Sequence, residues 1–314
     1  MRAIFFLLSL ILATLPLHAN QSAVEVVSNS FAANDNTAND RGNAVATAAQ
    51  LTTTHGSVAV DRLYSSDSEC GDTHKVPVAM HTITIDEFNT GKLDTTKWTA
   101  AIYKSPDSKP GVNLGSYVSS GIDFTQGMLR ITVRQRKSGG GVESSGGAII
   151  SKERFGFGTY EFMMRMSSTS PTPEGNGEAL TGAVSSGFLY YNKSESEIDL
   201  EFLGNENAIW ISAWHNPKPA GDPTLLDKIS NKVIDHDLAT RFRCYSMVWT
   251  PEAVDVYIDG IRVSHQTEHV PQTPAHIILQ HRGTNSDKWG GVATVGVERY
   301  FLVRSVGFTP VVAE

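Results

Sequence analysis

Two cysteines in 314 residues are too few for a disulfide framework, and the basic residues are in deficit, with 26 lysines and arginines against 33 aspartates and glutamates. A formal net charge of −7 leaves no basic excess to neutralise a phosphate backbone, which argues against a nucleic-acid partner and suits a neutral one. Past the N-terminal stretch the chain has no apolar run of the roughly 20 residues that a membrane-crossing helix needs. It also has no long window of helical period. Between residues 20 and 60 the only aromatic is Phe31, and Ala, Asn, Ser, Thr and Asp dominate. Such a segment cannot bury enough apolar surface to offset its ordering entropy, so residues 20 to 80 are expected to be a disordered linker that becomes transitional around Cys70.

The N-terminus has what the rest lacks. Met1-Arg2, an apolar stretch from Ala3 to Leu15 and the exit Pro16-Leu17-His18-Ala19 form the charge, core and small-residue end of a secretory signal peptide over residues 1 to 19. The alternative is an uncleaved membrane anchor. Export predicts a secreted protein, extracellular or periplasmic, in an oxidising compartment. A Cys70–Cys244 disulfide is then the natural pairing, with two unpaired thiols as the alternative.

From Thr82 onward the texture changes to short alternating or β-branched runs. They include Met128 to Val133, Thr159 to Met166, Glu197 to Phe202, Ala208 to Trp214 and Val254 to Ile258. Glycine-rich and proline-containing breaks separate them, and Asp259-Gly260 between Ile258 and Ile261 is a two-residue hairpin signal. Strands at turn-punctuated intervals over residues 81 to 314 predict a single all-β domain, a two-sheet antiparallel sandwich or jelly roll.

The chemistry concentrates in Glu197-Ile198-Asp199-Leu200-Glu201-Phe202. Strict alternation on a strand sends all three carboxylates to one face and Ile198, Leu200 and Phe202 to the other. At about 3.3 Å per residue the two glutamate Cα atoms stand roughly 13 Å apart. Inward-leaning side chains then bring the carboxyls to about 5 to 6 Å, the separation of a retaining glycosidase. Three like charges on one face repel, so at least one is expected to hold its proton to higher pH. A solvated acidic strand face satisfies the same pattern, as does a noncatalytic sugar-binding sandwich.

At these residues the sequence resembles glycoside hydrolase family 16, the group of lichenases, xyloglucan transglycosylases and cell-wall transglycosylases. Ser185 to Tyr190 with Glu197 to Gly204, the upstream run Ile150 to Glu161, and Asp86-Glu87-Phe88 with Trp98 carry the likeness, which extends over residues 83 to 310. The resemblance implies a curved jelly roll with a concave substrate cleft and a double-displacement mechanism. It implies Glu197 as nucleophile, Glu201 as acid/base and Asp199 as the residue that orients the nucleophile. The enzyme expected is a monomeric endo-β-glycosidase acting on polysaccharide, or a transglycosylase with the same catalytic residues. It requires no cofactor, although a structural calcium ion often accompanies the fold.

A single residue separates Asp199 from Glu201, as in the lichenase and transglycosylase groups, whereas members that cut β-1,3-glucans mostly carry one more. That spacing favours mixed-linkage or β-1,4 glucan backbones. Sugar rings stack on aromatic platforms, so Phe188, Tyr190, Trp214 and Trp289 are candidate subsite residues, with core packing as the alternative. His215 and His281 are candidates for hydroxyl contacts. The sequence departs from the lichenase pattern at Glu195-Ser196, where those enzymes usually carry Trp, and on the next strand at Ala213 and His215.

Overall fold

The computed structural model describes residues 83–216, 227–235 and 237–311. The leader, the linker and Cys70 lie outside the described residues, whereas Cys244 is disulfide-bonded. Sixteen strands follow one another: β1 (Ile83–Asp86), β2 (Trp98–Ala100), β3 (Asn113–Tyr117), β4 (Ile122–Thr125), β5 (Met128–Ser138), β6 (Gly141–Phe155), β7 (Gly158–Ser168), β8 (Ala183–Tyr191), β9 (Ser196–Leu203), β10 (Ala208–His215), β11 (Asp227–Ile234), β12 (Arg243–Trp249), β13 (Val254–Ile258), β14 (Ile261–Gln266), β15 (Ala275–Gly283) and β16 (Arg299–Pro310). One 3-10 turn, Ser119–Gly121, is the only helical element among the described residues. None of the described helices is long and apolar enough to cross a membrane.

Two layers arise from one folded-over sheet. The order β11-β10-β9-β8-β15-β6 makes the first layer, and β5-β16-β7-β12-β13-β14 makes the second. β5 and β6 turn the corner, pairing from Arg134↔Ser145 to Ser138↔Gly141 before they diverge into opposite layers. The two layers are the all-β jelly-roll sandwich expected from the strand runs.

Alternation decides which side chains enter the core. Ile198, Leu200 and Phe202 of β9, Ile209 and Ile211 of β10, and Ile277 and Leu279 of β15 are buried against Phe162, Met164 and Met166 of β7 and Tyr245 and Met247 of β12. Gly187 of β8 lets the layers approach closely here, since a Cβ at that position would stand 3.0 Å from Met164 Sδ. At the β13–β14 hairpin, Asp259 and Gly260 take φ of 45° and 82°, the left-handed conformation a two-residue turn demands. The Asp259 carboxylate then accepts the Cys244 N–H at 2.7 Å and the Arg243 Nε–H, fastening the turn to β12.

His281 belongs to this core and not to a cleft. It is fully buried on the inner face of β15, with Nδ1 2.8 Å from the Ile131 carbonyl and Nε2 2.8 Å from Ser167 Oγ. Burial, helped by the nearby Arg299 charge, lowers its pKa from 6.5 to about 3 although the Ile131 contact opposes the shift. The unfolded chain therefore takes up a proton near pH 6.5 that the native state refuses until about 3, and this site loses stability as pH falls through that window. Guanidinium midpoints measured from pH 7.5 down to 4 are expected to fall less steeply for His281→Gln than for the parent chain.

Candidate active site

β9 runs through the middle of the first layer without a bulge. Its register is continuous on both sides, from Tyr190↔Glu197 to Ser186↔Glu201 with β8 and from Trp214↔Glu197 to Trp210↔Glu201 with β10. Cross-strand partners share a face, so Glu197, Asp199 and Glu201 form one row on the side away from the core. Tyr190, Phe188 and Ser186 flank the row on β8, and Trp214, Ser212 and Trp210 flank it on β10.

Each carboxylate meets a donor from a different element. Trp214 Nε1 donates to Asp199 Oδ2 at 2.8 Å, and Asp199 is only 4% exposed. Arg282 of β15 donates from Nη1 to Glu201 Oε1 at 2.9 Å. Ser194, in the β8–β9 turn, donates its hydroxyl to Glu197 Oε2. The mutual repulsion of three acids on one face is thus offset locally at each of them.

The turn that delivers Ser194 is strained. Asn192, Lys193 and Ser194 have φ of 45°, 55° and 62°, a left-handed run that costs non-glycine residues about 1–3 kcal/mol each. Asn216 holds it, donating its N–H to the Ser194 carbonyl at 2.8 Å and its Nδ2 to the Lys193 carbonyl at 2.9 Å. Glu195, where lichenases usually carry Trp, accepts from Asn192 Nδ2 at 2.7 Å and Thr273 Oγ1 at 2.9 Å, and Ser196 Oγ accepts the Thr273 N–H at 3.1 Å. Glu195 and Ser196 therefore tie this turn to Thr273, ahead of β15.

The aromatic candidates divide. Tyr190 lies beside Glu197, and burial, with a contribution from the Glu197 charge, pushes its phenol up to about 12. Phe188 sits opposite Asp199 and is 9% exposed. Trp289 packs against Trp210 with ring centroids 5.6 Å apart, on the Glu201 side of the row. His215 has the opposite parity to Trp214 on β10, and its Nδ1 stands 3.3 Å from the Glu195 carbonyl, so it contacts the turn. Sequence reasoning missed Trp210, Arg282 and Ser194. Trp210 shares the parity of Trp214, and that was its available signal.

A family model for glycosyl hydrolases family 16 matches residues 112–295. The chain belongs to glycosyl hydrolase family 16. Among curated family relatives, a beta-glucanase of Acetivibrio thermocellus is 29% identical over 177 residues, covering 55% of this chain and 48% of the relative. Xyloglucan endotransglucosylase/hydrolase protein 3 of Arabidopsis thaliana is 27% identical over 151 residues, 47% of this chain and 48% of the relative. The chain thus spans about half the length of the curated relatives it matches. The solved structure of a Bacillus licheniformis beta-glucanase superposes with a TM-score of 0.56 at 22% identity, over 74% of this chain and all of that one. At that identity the likeness speaks for the fold.

The turn after β1 is closed by its own bonds: Asp86 accepts Trp98 Nε1 at 2.9 Å and the Phe88 N–H at 2.8 Å, and Lys97 Nζ donates to the Ile85 carbonyl at 2.8 Å. Among the described residues no three His, Cys, Asp or Glu side chains converge as a metal site.

Trp214→Phe keeps an aromatic side chain, smaller than the indole, and removes the donor to a nearly buried carboxylate. The variant is expected to lose about 1.5–3 kcal/mol of stability in urea titration, the worth of a hydrogen bond to a charged group. An unchanged midpoint would show that this bond does not hold Asp199.

Proposed function

We propose that this chain is a secreted, retaining endo-β-glucanase that cuts mixed-linkage or β-1,4 glucan backbones by double displacement. The observation that carries the proposal is the unbroken β9 register, which keeps Glu197, Asp199 and Glu201 in one row with a separate donor at each. Glu197 attacks the anomeric carbon while Glu201 gives its proton to the departing sugar oxygen, leaving a covalent glycosyl-enzyme. Glu201 then takes a proton from the incoming water, which attacks the same carbon and releases Glu197 with overall retention. Asp199, held by Trp214, orients Glu197. The phenol of Tyr190 stays neutral beside the nucleophile, and the Trp210–Trp289 pair offers an aromatic wall to a sugar ring.

A second reading, a cell-wall transglycosylase, is favoured by the likeness to the Arabidopsis endotransglucosylase/hydrolase. It uses the same three carboxylates and differs only in whether water or a sugar hydroxyl attacks the glycosyl-enzyme.

Glu197→Gln keeps the shape and removes the nucleophilic charge, so glucan hydrolysis is expected to vanish in a folded protein. Glu201→Ala is expected to lose about 10²–10⁴-fold on glucan, the usual worth of general acid/base catalysis. It should regain turnover of an aryl glycoside with a good leaving group when azide is added. Residual hydrolysis in the first variant, or no azide effect in the second, overturns the role of that residue.

Linkage follows from the spacing. Lichenan or a β-1,4-glucan derivative is expected to outperform laminarin, and proton NMR early in the reaction should record β-anomers first. Preference for laminarin breaks the spacing argument, and first-formed α-anomers break the two-step mechanism. Product chromatography with an added acceptor oligosaccharide separates hydrolysis from transfer.

A further inference from the structure

A second carboxylate lies behind Glu201. Arg282 is 7% exposed and forks between two acids, with Nη1 on Glu201 Oε1 at 2.9 Å and Nε on Asp107 Oδ2. Asp107 lies on the segment between β2 and β3, outside the family-matched residues 112–295. That segment is fixed in place. Ser105 N–H donates to the Gly115 carbonyl at 3.1 Å, and Lys109 N–H donates to the Asn113 carbonyl at 2.6 Å. A Cβ at Gly115 of β3 would stand 2.1 Å from Ser105 Oγ, so the Ser105 side chain packs directly on the β3 backbone. Asn113 Nδ2 donates at 3.0 Å to the carbonyl of Gly283, the residue after Arg282.

A buried guanidinium requires a counter-charge. Burial by itself makes the Arg282 proton easier to lose, but Asp107 and then Glu201 outweigh it and raise the pKa well above the ordinary arginine value. Paired with a single carboxylate, such a cation would hold that carboxylate as the anion and deny it the proton a general acid must carry. Paired with two, it keeps one counter-charge when the other becomes neutral.

We propose that Arg282 and Asp107 are positioning residues for Glu201: Arg282 aims its carboxyl, and Asp107 supplies the counter-charge that lets Glu201 lose and regain a proton within each turnover. The proposal rests on the glycosidase reading of Glu201. In the first half-reaction the bond from the anomeric carbon to the leaving oxygen breaks, the Glu197 ester forms, and the Glu201 proton passes to the leaving oxygen. Arg282 then caps two carboxylates. In the second half-reaction water adds to the anomeric carbon, the ester breaks, and the water proton passes to Glu201 while Asp107 keeps Arg282 paired.

The other groups facing Glu201 do not supply this counter-charge. Asp199, two positions along β9, turns its Oδ2 to Trp214 on the opposite side of β9 from β15. Tyr117 of β3 donates its hydroxyl to Gln280 at 2.6 Å, and burial keeps the phenol neutral by raising its pKa. Ser186 and Trp210 on the flanking strands carry no charge, and Lys232 of β11, beyond Trp210 on the same face, is paired with Glu206 at 2.9 Å.

The test is a carboxyl carbon-13 NMR titration of glutamate-labelled protein, with the Glu201 resonance assigned by its loss in Glu201→Gln. It needs no turnover, so its failure is distinct from failure of the glycosidase reading, which the Glu197→Gln assay decides. Asp107→Asn, isosteric and partly exposed, is expected to move the Glu201 midpoint down, since Arg282 then answers to Glu201 alone. The alkaline limb of kcat/KM should move down with it, and activity at neutral pH should fall more for poor leaving groups than for activated aryl glycosides. Adding Arg282→Gln to Asp107→Asn should return both midpoint and limb toward the parent. An unmoved Glu201 midpoint in folded Asp107→Asn overturns the proposal, as does a uniform loss of kcat across leaving groups with an unshifted limb. Should the double variant not fold, the Asp107→Asn titration and profile decide alone.

Discussion

The site depends on β9 remaining a regular strand. Period-two alternation sends Ile198, Leu200 and Phe202 into a core where each is at most 1% exposed, and the same geometry leaves Glu197, Asp199 and Glu201 no choice of face. A one-residue slip would bury three carboxylates and expose three apolar side chains, a change too costly to compete with the observed register. The core therefore fixes the register, and the register fixes the carboxylate row. Substitutions at Leu200, whose side chain lies wholly in the core, would disturb the row on the opposite face of the same strand.

A row of acids is stable only if its surroundings answer it. Trp214 comes from the neighbouring strand, Ser194 from the turn before β9, and Arg282 from β15 with Asp107 behind it. These donors lie at separations from three to 81 residues from the acids they meet. The strained turn at Asn192 to Ser194 shows the cost of this arrangement, because left-handed non-glycine residues persist only where contacts such as those of Asn216 over-determine them.

The sequence made legible what alternation and local turn chemistry control. The β9 row, the runs at β5, β7, β10 and β13, and the Asp259-Gly260 hairpin were readable because each depends on residues within a few positions. Trp210 was readable in principle, since it alternates with Trp214, but a tryptophan beside Ile209 and Ile211 reads equally well as core. His281 was not readable. Its place between the layers depends on Ile131 and Ser167, 150 and 114 residues away, and no local pattern marks a histidine that bridges two sheets. Arg282 and Asp107 stand 175 residues apart and escape for the same reason.

This division separates two properties of the site. Whether the acids form one row is decided by strand regularity, a local and portable feature that a short motif can carry between distant relatives. Which donor each acid meets is decided by groups that the motif does not contain, and Asp107 behind Arg282 lies on a segment outside the matched family region. Two chains with the same Glu-x-Asp-x-Glu strand can therefore share the row and differ in the groups that surround it. Arg282 makes the point concretely. Its guanidinium stands 2.9 Å from Glu201 and pairs on its far side with the Asp107 carboxylate, and under the acid/base role proposed for Glu201 that second pairing keeps the buried cation balanced when Glu201 is neutral.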